Sequence, residues 1–199
     1  MNISCYIIPA NYKNVSFNLK NIHQEIYKCW KDEWSNTWSE ITGQKKIIYS
    51  CELSRQDTLL ALFNDEKCIA LCSFRQFEQN DISAFDDSYF SFWPKSASEQ
   101  LMGLGQKVLI CGQLTVAKEY RRKESDVSLR DILSGIATKY FLDSDSNIMI
   151  GTTRVSKGMD RVCYGLGATP ILQNLPYIGK ENVDLVVFHK HSVEAELPL

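Results

Sequence analysis

The chain has 199 residues, 44% of them hydrophobic and 23% charged, the proportions of an average soluble globular protein. That balance excludes disordered, collagen-like and fibrous classes. The length suits one domain with a core large enough to need no disulfide staples. Lysine and arginine number 22 against 24 aspartates and glutamates, a net charge of −2, so no overall electrostatic footprint of a nucleic-acid binder is present.

Seven cysteines stand at 5, 29, 51, 68, 72, 111 and 163. The number is odd and the spacing irregular, and Cys68, Cys72, Cys111 and Cys163 lie in apolar runs. They read as reduced, mostly buried thiols rather than a disulfide framework. With no Cys-x2-Cys pair and only three histidines, no metal site is expected. No secretory signal opens the chain, and no apolar run approaches the ~18 residues that span a bilayer. The expectation is a cytoplasmic protein without a membrane span.

In chain order, Ile3-Ser-Cys-Tyr-Ile-Ile8 is a β-prone run closed by Pro9, a first strand. From about Asn18 a helix is predicted by Leu19, Ile22, Ile26, Cys29, Trp30 and Trp34 at 3–4 spacing. Trp30, Trp34 and Trp38 form one stripe, which packs against a sheet more readily than it lines a substrate. Thr58–Phe63 and Cys68–Phe74 flank the turn-type Asn64-Asp-Glu-Lys67, a hairpin whose nearly continuous apolar runs imply cover on both faces. Residues 77–106 are irregular, acidic and aromatic (Phe85-Asp-Asp-Ser-Tyr-Phe-Ser-Phe-Trp-Pro94). They read as an insertion lying over the domain, with a substrate lid as one possibility.

Val108–Val116 is the strongest strand. Leu129, Ile132, Leu133, Ile136, Ala137, Tyr140 and Phe141 then mark the strongest helix, opened by Ser128 and Asp131 in the manner of a capping box. A strand at 147–155 follows, then a helix from about Lys157 to Tyr164 ending at Gly165-Leu-Gly167. Asn182–His189 closes the chain as a strand, with His189 and His191 alternating along it. Cys111 and His189 nominally offer a Cys–His pair, but nothing in their spacing supports a thiol hydrolase.

The distinctive constellation is strand 108–116, loop 117–127 and helix 128–142. The loop sets Lys118, Arg121, Arg122 and Lys123 against Glu119, Glu124 and Asp126. A helix start behind a basic loop attracts anions, so a phosphate-bearing ligand is the functional reading and a solvated charged loop the plain one.

Leu114-Thr-Val116-Ala-Lys-Glu-Tyr-Arg-Arg-Lys123, with Leu129 in register behind it, resembles the acyl-CoA-binding motif of the GCN5-related N-acetyltransferase (GNAT) superfamily. That motif runs Leu-x-Val-x-Pro-x-Tyr/x-Arg-x-x-Gly-x-Gly/Ala and is followed by a helix leucine. Leu114, Val116, Tyr120, Arg121 and Leu129 match without a gap. A second family feature, Tyr-x-x-x-Gly-Phe, is loosely matched by Cys163-Tyr-Gly-Leu-Gly-Ala168. The departures are chemical. Lys118 stands at the proline position, and Glu124 and Asp126 replace the glycines that let the loop approach a pyrophosphate. Contacts would then fall to Arg121, Arg122, Lys123 and Ser125. Ser156 stands at the usual asparagine, and the usual tyrosine falls on Cys163, with Tyr164 next to it and about 100° around the helix.

The resemblance implies one GNAT-like α/β domain over 1–199: a mixed, mostly antiparallel twisted sheet with helices on both faces and an insertion at about 77–106. It implies direct transfer of an acyl group from acetyl-CoA, a longer acyl-CoA or an acyl-carrier thioester to a small-molecule or peptide amine, with no metal. The donor would meet Leu114, Thr115, Val116, Arg121, Arg122, Lys123, Ser125, Val127, Ser128 and Ser156. Tyr164 or Cys163 would protonate the leaving thiolate, while Glu52, Gln113 and Asp86 are candidate bases by position alone. The aromatic insertion and tryptophan stripe suit an acyl chain longer than acetyl, which resembles the long-chain N-acyl amino acid synthase branch. Two other classes stay open: a non-catalytic module on the same fold, favoured by Glu124 and Asp126, and a partner-binding protein with the insertion as its interface.

Overall fold

A computed structural model describes residues 2–104, 107–121 and 128–196. Its strands are β1 (Ile3–Pro9), β2 (Thr58–Asn64), β3 (Lys67–Glu78), β4 (Lys107–Val116), β5 (Ile148–Arg154), β6 (Ala168–Pro176) and β7 (Asn182–His189). They form one sheet in the order β1-β2-β3-β4-β5-β7-β6. Pairing is antiparallel for β1–β2, β2–β3, β5–β7 and β6–β7. β4 pairs with β5 in parallel through Val108–Ile110. The helices are α1 (Lys20–Thr42), α2 (Cys51–Ser54), α3 (Lys95–Met102), α4 (Leu129–Asp143), α5 (Met159–Gly165) and α6 (Lys190–Glu196). This is the mixed, mostly antiparallel α/β architecture expected from the sequence. The chain divides into two compact units, Met1–Arg75 with Cys111–Ala137 and Gln76–Ile110 with Thr138–Leu199.

In the first unit α1 lays Ile26 and Trp30, both fully buried, against Leu59, Ala61, Phe63 and Leu71, with Trp34 and Trp38 partly buried beside them. The tryptophan stripe is therefore core, as its helical spacing suggested. Leu60, Leu62, Ala70 and Cys72 point to the opposite face of the sheet and are also buried, so both faces are covered. The β2–β3 connection is tighter than the four-residue turn expected. Asp65 adopts φ 53°, the left-handed conformation an aspartate tolerates, and only Asp65 and Glu66 link the strands. α1 ends where Gly43, at φ 70°, donates its N–H to Ser39 O at 2.9 Å.

In the second unit the acidic aromatic segment is built rather than irregular. Asp81 and Asp87 accept from the N–H groups of Ser83 and Tyr89 at 2.9 and 2.8 Å, opening two short 3-10 turns. α3 follows Pro94. Phe90, Trp93, Ala97 and Leu101 are buried together with Val108, Ile110, Ile148, Ile150, Leu185 and Val187, so the segment supplies a layer of core. α3 escapes sequence reading because its buried positions are only Ala97 and Leu101, too few for a visible period.

The last described element is a helix, not a strand. β7 stops at His189, and α6 begins at Lys190, so His189 and His191 do not alternate along one strand. Lys190 Nζ donates to Leu142 O at 3.1 Å and Ser144 O at 2.5 Å, a cation on carbonyls at the end of α4. No cysteine is disulfide-bonded. Cys68, Cys72 and Cys163 are buried, but Cys29 and Cys111 are half-buried and Cys5 and Cys51 exposed, fewer buried than the apolar runs suggested. Hydrogen bonding to Cys29 and burial push up the Cys68 thiol, and Cys111 and burial push up that of Cys72. Neither is a ready thiolate at neutral pH.

Candidate active site

In the first unit the end of β4 is held in an unusual backbone shape. Gln113 sits at φ 56°, uncommon for a residue other than glycine. Two indoles of α1 pin the region. Trp30 Nε1 donates to Gln113 Oε1 at 2.8 Å, and Trp34 Nε1 to Thr115 Oγ1 at 3.1 Å. Thr115 Oγ1 in turn donates to Gln113 O at 2.8 Å. Immediately beyond, Ala117 N–H bonds to Ile69 O at 2.9 Å, and Lys118–Tyr120 make one 3-10 turn.

Glu33 of α1 organises that turn. Its Oε1 accepts the Lys118 N–H at 2.8 Å and its Oε2 accepts from Arg121 Nη2 at 2.5 Å, while Arg121 Nε donates to Val116 O at 2.7 Å. Glu33 is 7% exposed, and a buried carboxylate persists only when paired and hydrogen-bonded like this. Sequence reasoning passed it over, although a glutamate between Trp30 and Trp34 on an apolar helix face was a visible signal.

Of the expected donor-binding residues, Thr115 is buried and Leu114 and Val116 are half-buried. The Arg121 guanidinium is already engaged by Glu33 and the Val116 carbonyl. Ser128 Oγ accepts the Asp131 N–H at a long 3.4 Å, and Ser128 O takes the Asp131 and Ile132 N–H groups at 3.0 Å, so it opens α4 as its capping pattern indicated. Arg122, Lys123, Glu124, Ser125, Asp126 and Val127 lie outside the described residues.

In the second unit the adjacent candidates separate. Cys163 is 6% exposed and Tyr164 half-buried. The Tyr164 hydroxyl donates to Asp184 Oδ2 at 2.5 Å and accepts from Gln173 Nε2 at 3.2 Å. Asp184 Oδ1 accepts the Asn174 N–H at 2.8 Å, where β6 is irregular between Leu172 and Leu175 and Asn174 has φ 55°. Burial, then the Asp184 carboxylate, pushes the Tyr164 phenol up to about 12. Asp184 is 3% exposed. Its sequence signal was a charge inside the apolar run Val183-Asp-Leu-Val-Val187.

Ser156 is tied down by Glu181. Its hydroxyl donates to Glu181 Oε2 at 2.7 Å and its N–H to Oε1 at 3.3 Å, and Arg154 Nε and Nη2 reach Oε2 at 2.8 and 2.6 Å. Burial works to raise the Glu181 carboxyl, but the hydrogen bonds and charge of these partners outweigh it and hold it below the ordinary value. The positional base candidates diverge: Gln113 is held by Trp30, Glu52 is half-buried on α2, and Asp86 is exposed. Among the described residues no group of three or more His, Cys, Asp or Glu is placed to hold a metal ion. None of their helices is long and apolar enough to cross a membrane.

No protein-family model and no curated protein matches the chain. Solved structures do. FeeM, an N-acyl amino acid synthase from uncultured soil microbes, is 12% identical, with 98% of this chain and 94% of that one aligned at a TM-score of 0.56. The AHL synthase LasI is 10% identical over 100% and 98% of the two chains, TM-score 0.61. BjaI, a CoA-dependent acyl-homoserine lactone synthase solved with SAM and isopentyl-CoA, is 12% identical over 98% and 88%, TM-score 0.60. At such identities the likeness is one of fold alone, the mixed α/β, GNAT-like architecture that the sequence resemblance implied.

Proposed function

We propose that this chain is an N-acyltransferase that moves an acyl group from an acyl-CoA, or an equivalent carrier thioester, to an amine by direct attack. The observation that carries the reading is the placement of Leu114–Arg121. The stretch resembling an acyl-CoA motif forms the irregular end of β4 and the turn beyond it, and the chain then leads to the start of α4. Backbone N–H groups around Val116 would polarise the thioester carbonyl. Arg122 and Lys123 would bring cations, Ser125 and Ser128 hydroxyls and Val127 its backbone N–H to the phosphates, with Arg121 joining them on release from Glu33.

Tyr164 is favoured over Cys163 as the group that protonates the leaving thiolate, because Cys163 is buried and the Tyr164 hydroxyl sits in a polar network. Likeness to an N-acyl amino acid synthase and to BjaI, solved with isopentyl-CoA, supports a donor longer than acetyl and a small amine acceptor; the cytoplasmic setting rests on the sequence reading alone. Thermal unfolding with CoA, acetyl-CoA and octanoyl-CoA tests the donor. A ligand at 100 times its Kd stabilises by about 2.7 kcal/mol, and octanoyl-CoA is expected to shift the transition most. Thiol release with amino-acid acceptors then tests transfer.

A second reading, a non-catalytic module on the same fold, is favoured by Arg121, whose guanidinium is committed to Glu33 and Val116 O, and by Glu124 and Asp126 in the loop. A stabilising shift without thiol release would favour it.

A further inference from the structure

The Tyr164 hydroxyl carries one proton and two lone pairs. Its proton is directed at Asp184 Oδ2, and one lone pair takes Gln173 Nε2. The groups around it are of one sign. Asp184 approaches from β7, Asp160 lies one helical turn earlier on α5, and Gln173 on β6 is neutral. Of the nearby cations, Arg154 is committed to Glu181, and the Arg161 guanidinium lies beside Gly158. Burial first, and then the charges of Asp184 and Asp160, make a phenolate here costly, which is the direction in which the phenol is pushed. Tyr164 is thus poorly suited to surrender a proton outright but well suited to pass one through.

Building on the acyltransferase reading, we infer that Asp184 is the proton acceptor of the reaction and that Tyr164 relays the proton to it. Once the amine nitrogen has bonded to the thioester carbon, its surplus proton passes to Tyr164 Oη as the phenol's own proton moves to Asp184 Oδ2. The carbon–sulfur bond then breaks with its electron pair on sulfur. Tyr164 donates a proton to the thiolate and recovers one from Asp184. Amide and thiol leave, the carboxylate is restored, and phenolate forms at no step. Tyr164 is the catalytic residue in this scheme, and Asp184 acts through it as a positioning residue with a charge. The pair thereby supplies the base that Glu52, Gln113 and Asp86 do not.

The test uses the full chain with Asp184→Asn, Tyr164→Phe and the double variant, assayed for thiol release from octanoyl-CoA with amino-acid acceptors. Each single variant is expected to lower kcat by about 10²–10⁴-fold with little change in KM. The double is expected to be no slower than the worse single, because the two residues act as a unit. Tyrosine labelled with ¹³C at Cζ gives a readout independent of turnover: the Tyr164 signal, assigned with Tyr164→Phe, should titrate at lower pH in Asp184→Asn than in the wild type. Tyr164→Phe leaves the Asp184–Asn174 contact in place, so a purely structural role for Asp184 would spare it. An Asp184→Asn enzyme within threefold of wild type, an unmoved Tyr164 titration or multiplicative losses would overturn the inference alone. Absence of thiol release by the wild type would overturn the acyltransferase reading and the inference with it.

Discussion

Replacing Gln113 by alanine and by glycine separates two contributions at the end of β4. Both changes remove the acceptor for Trp30 Nε1, and Trp30 is fully buried. Leaving that donor unsatisfied costs about 1–3 kcal/mol in either variant. They differ in the backbone. At φ 56° alanine keeps the left-handed penalty of about 1–2 kcal/mol, which glycine sheds. Glycine also loses about 0.5–1 kcal/mol of chain entropy that alanine does not. The steric term exceeds the entropic one, so Gln113→Gly should be the more stable of the two by about 0.5–1 kcal/mol, although both fall below wild type. In an ordinary strand the order is reversed. Urea unfolding of the full chain, compared at equal slope, reads the difference directly. Alanine equal to or better than glycine would refute the left-handed conformation of Gln113. A wild-type-like Gln113→Ala would refute the buried bond to Trp30.

Glu33→Gln keeps the size of the side chain but sets an amide against the Arg121 guanidinium. The expected loss is about 1–2 kcal/mol, the low end for a charged hydrogen bond because Arg121 is 41% exposed on its side chain; a change in urea midpoint below experimental error would show the contact to be idle. Glu181→Gln should cost about 2–3 kcal/mol at pH 7 by weakening its hold on Arg154 and Ser156. The folded Glu181 carboxyl lies below its unfolded value, so its contribution is full above about pH 4.5 and is lost as pH falls through the folded value. Stability measured from pH 7 to pH 3 should therefore fall more steeply in wild type than in Glu181→Gln, and parallel curves would contradict this. Gly167→Ala places a Cβ 2.6 Å from Ser192 O at φ +88°. Overpacking against backbone and the left-handed penalty together predict a loss of at least about 2 kcal/mol, read as a lower Tm.

β1 to β5, β7 and the two main helices were legible from their apolar runs, whereas β6, mostly exposed or half-buried, carries no such run. The hairpin of β2 and β3, β4 and α4 each bury most of one period, and tertiary packing had no reason to override them. α3 and α6 were not legible. α3 buries two residues, and α6 is docked by Lys190 on carbonyls at the end of α4 and by Val193, contacts that no local pattern announces. The aromatic run 85–93 was visible as unusual composition, but its identity as core depends on the apolar faces of β4, β5 and β7 against which it packs.

At the site, residue type and spacing along one segment determined the resemblance of Leu114–Leu129 to an acyl-CoA motif, because such a motif is carried by residues close together in the chain. The partners of that segment, and that of Tyr164, were decided only in three dimensions. Glu33 reaches Arg121 across 88 residues, Trp30 reaches Gln113 across 83, and Asp184 reaches Tyr164 across 20. Each is a polar group on an otherwise apolar element. The sequence displays it as an anomaly, but only the packing of one element on another supplies the partner that makes its burial affordable.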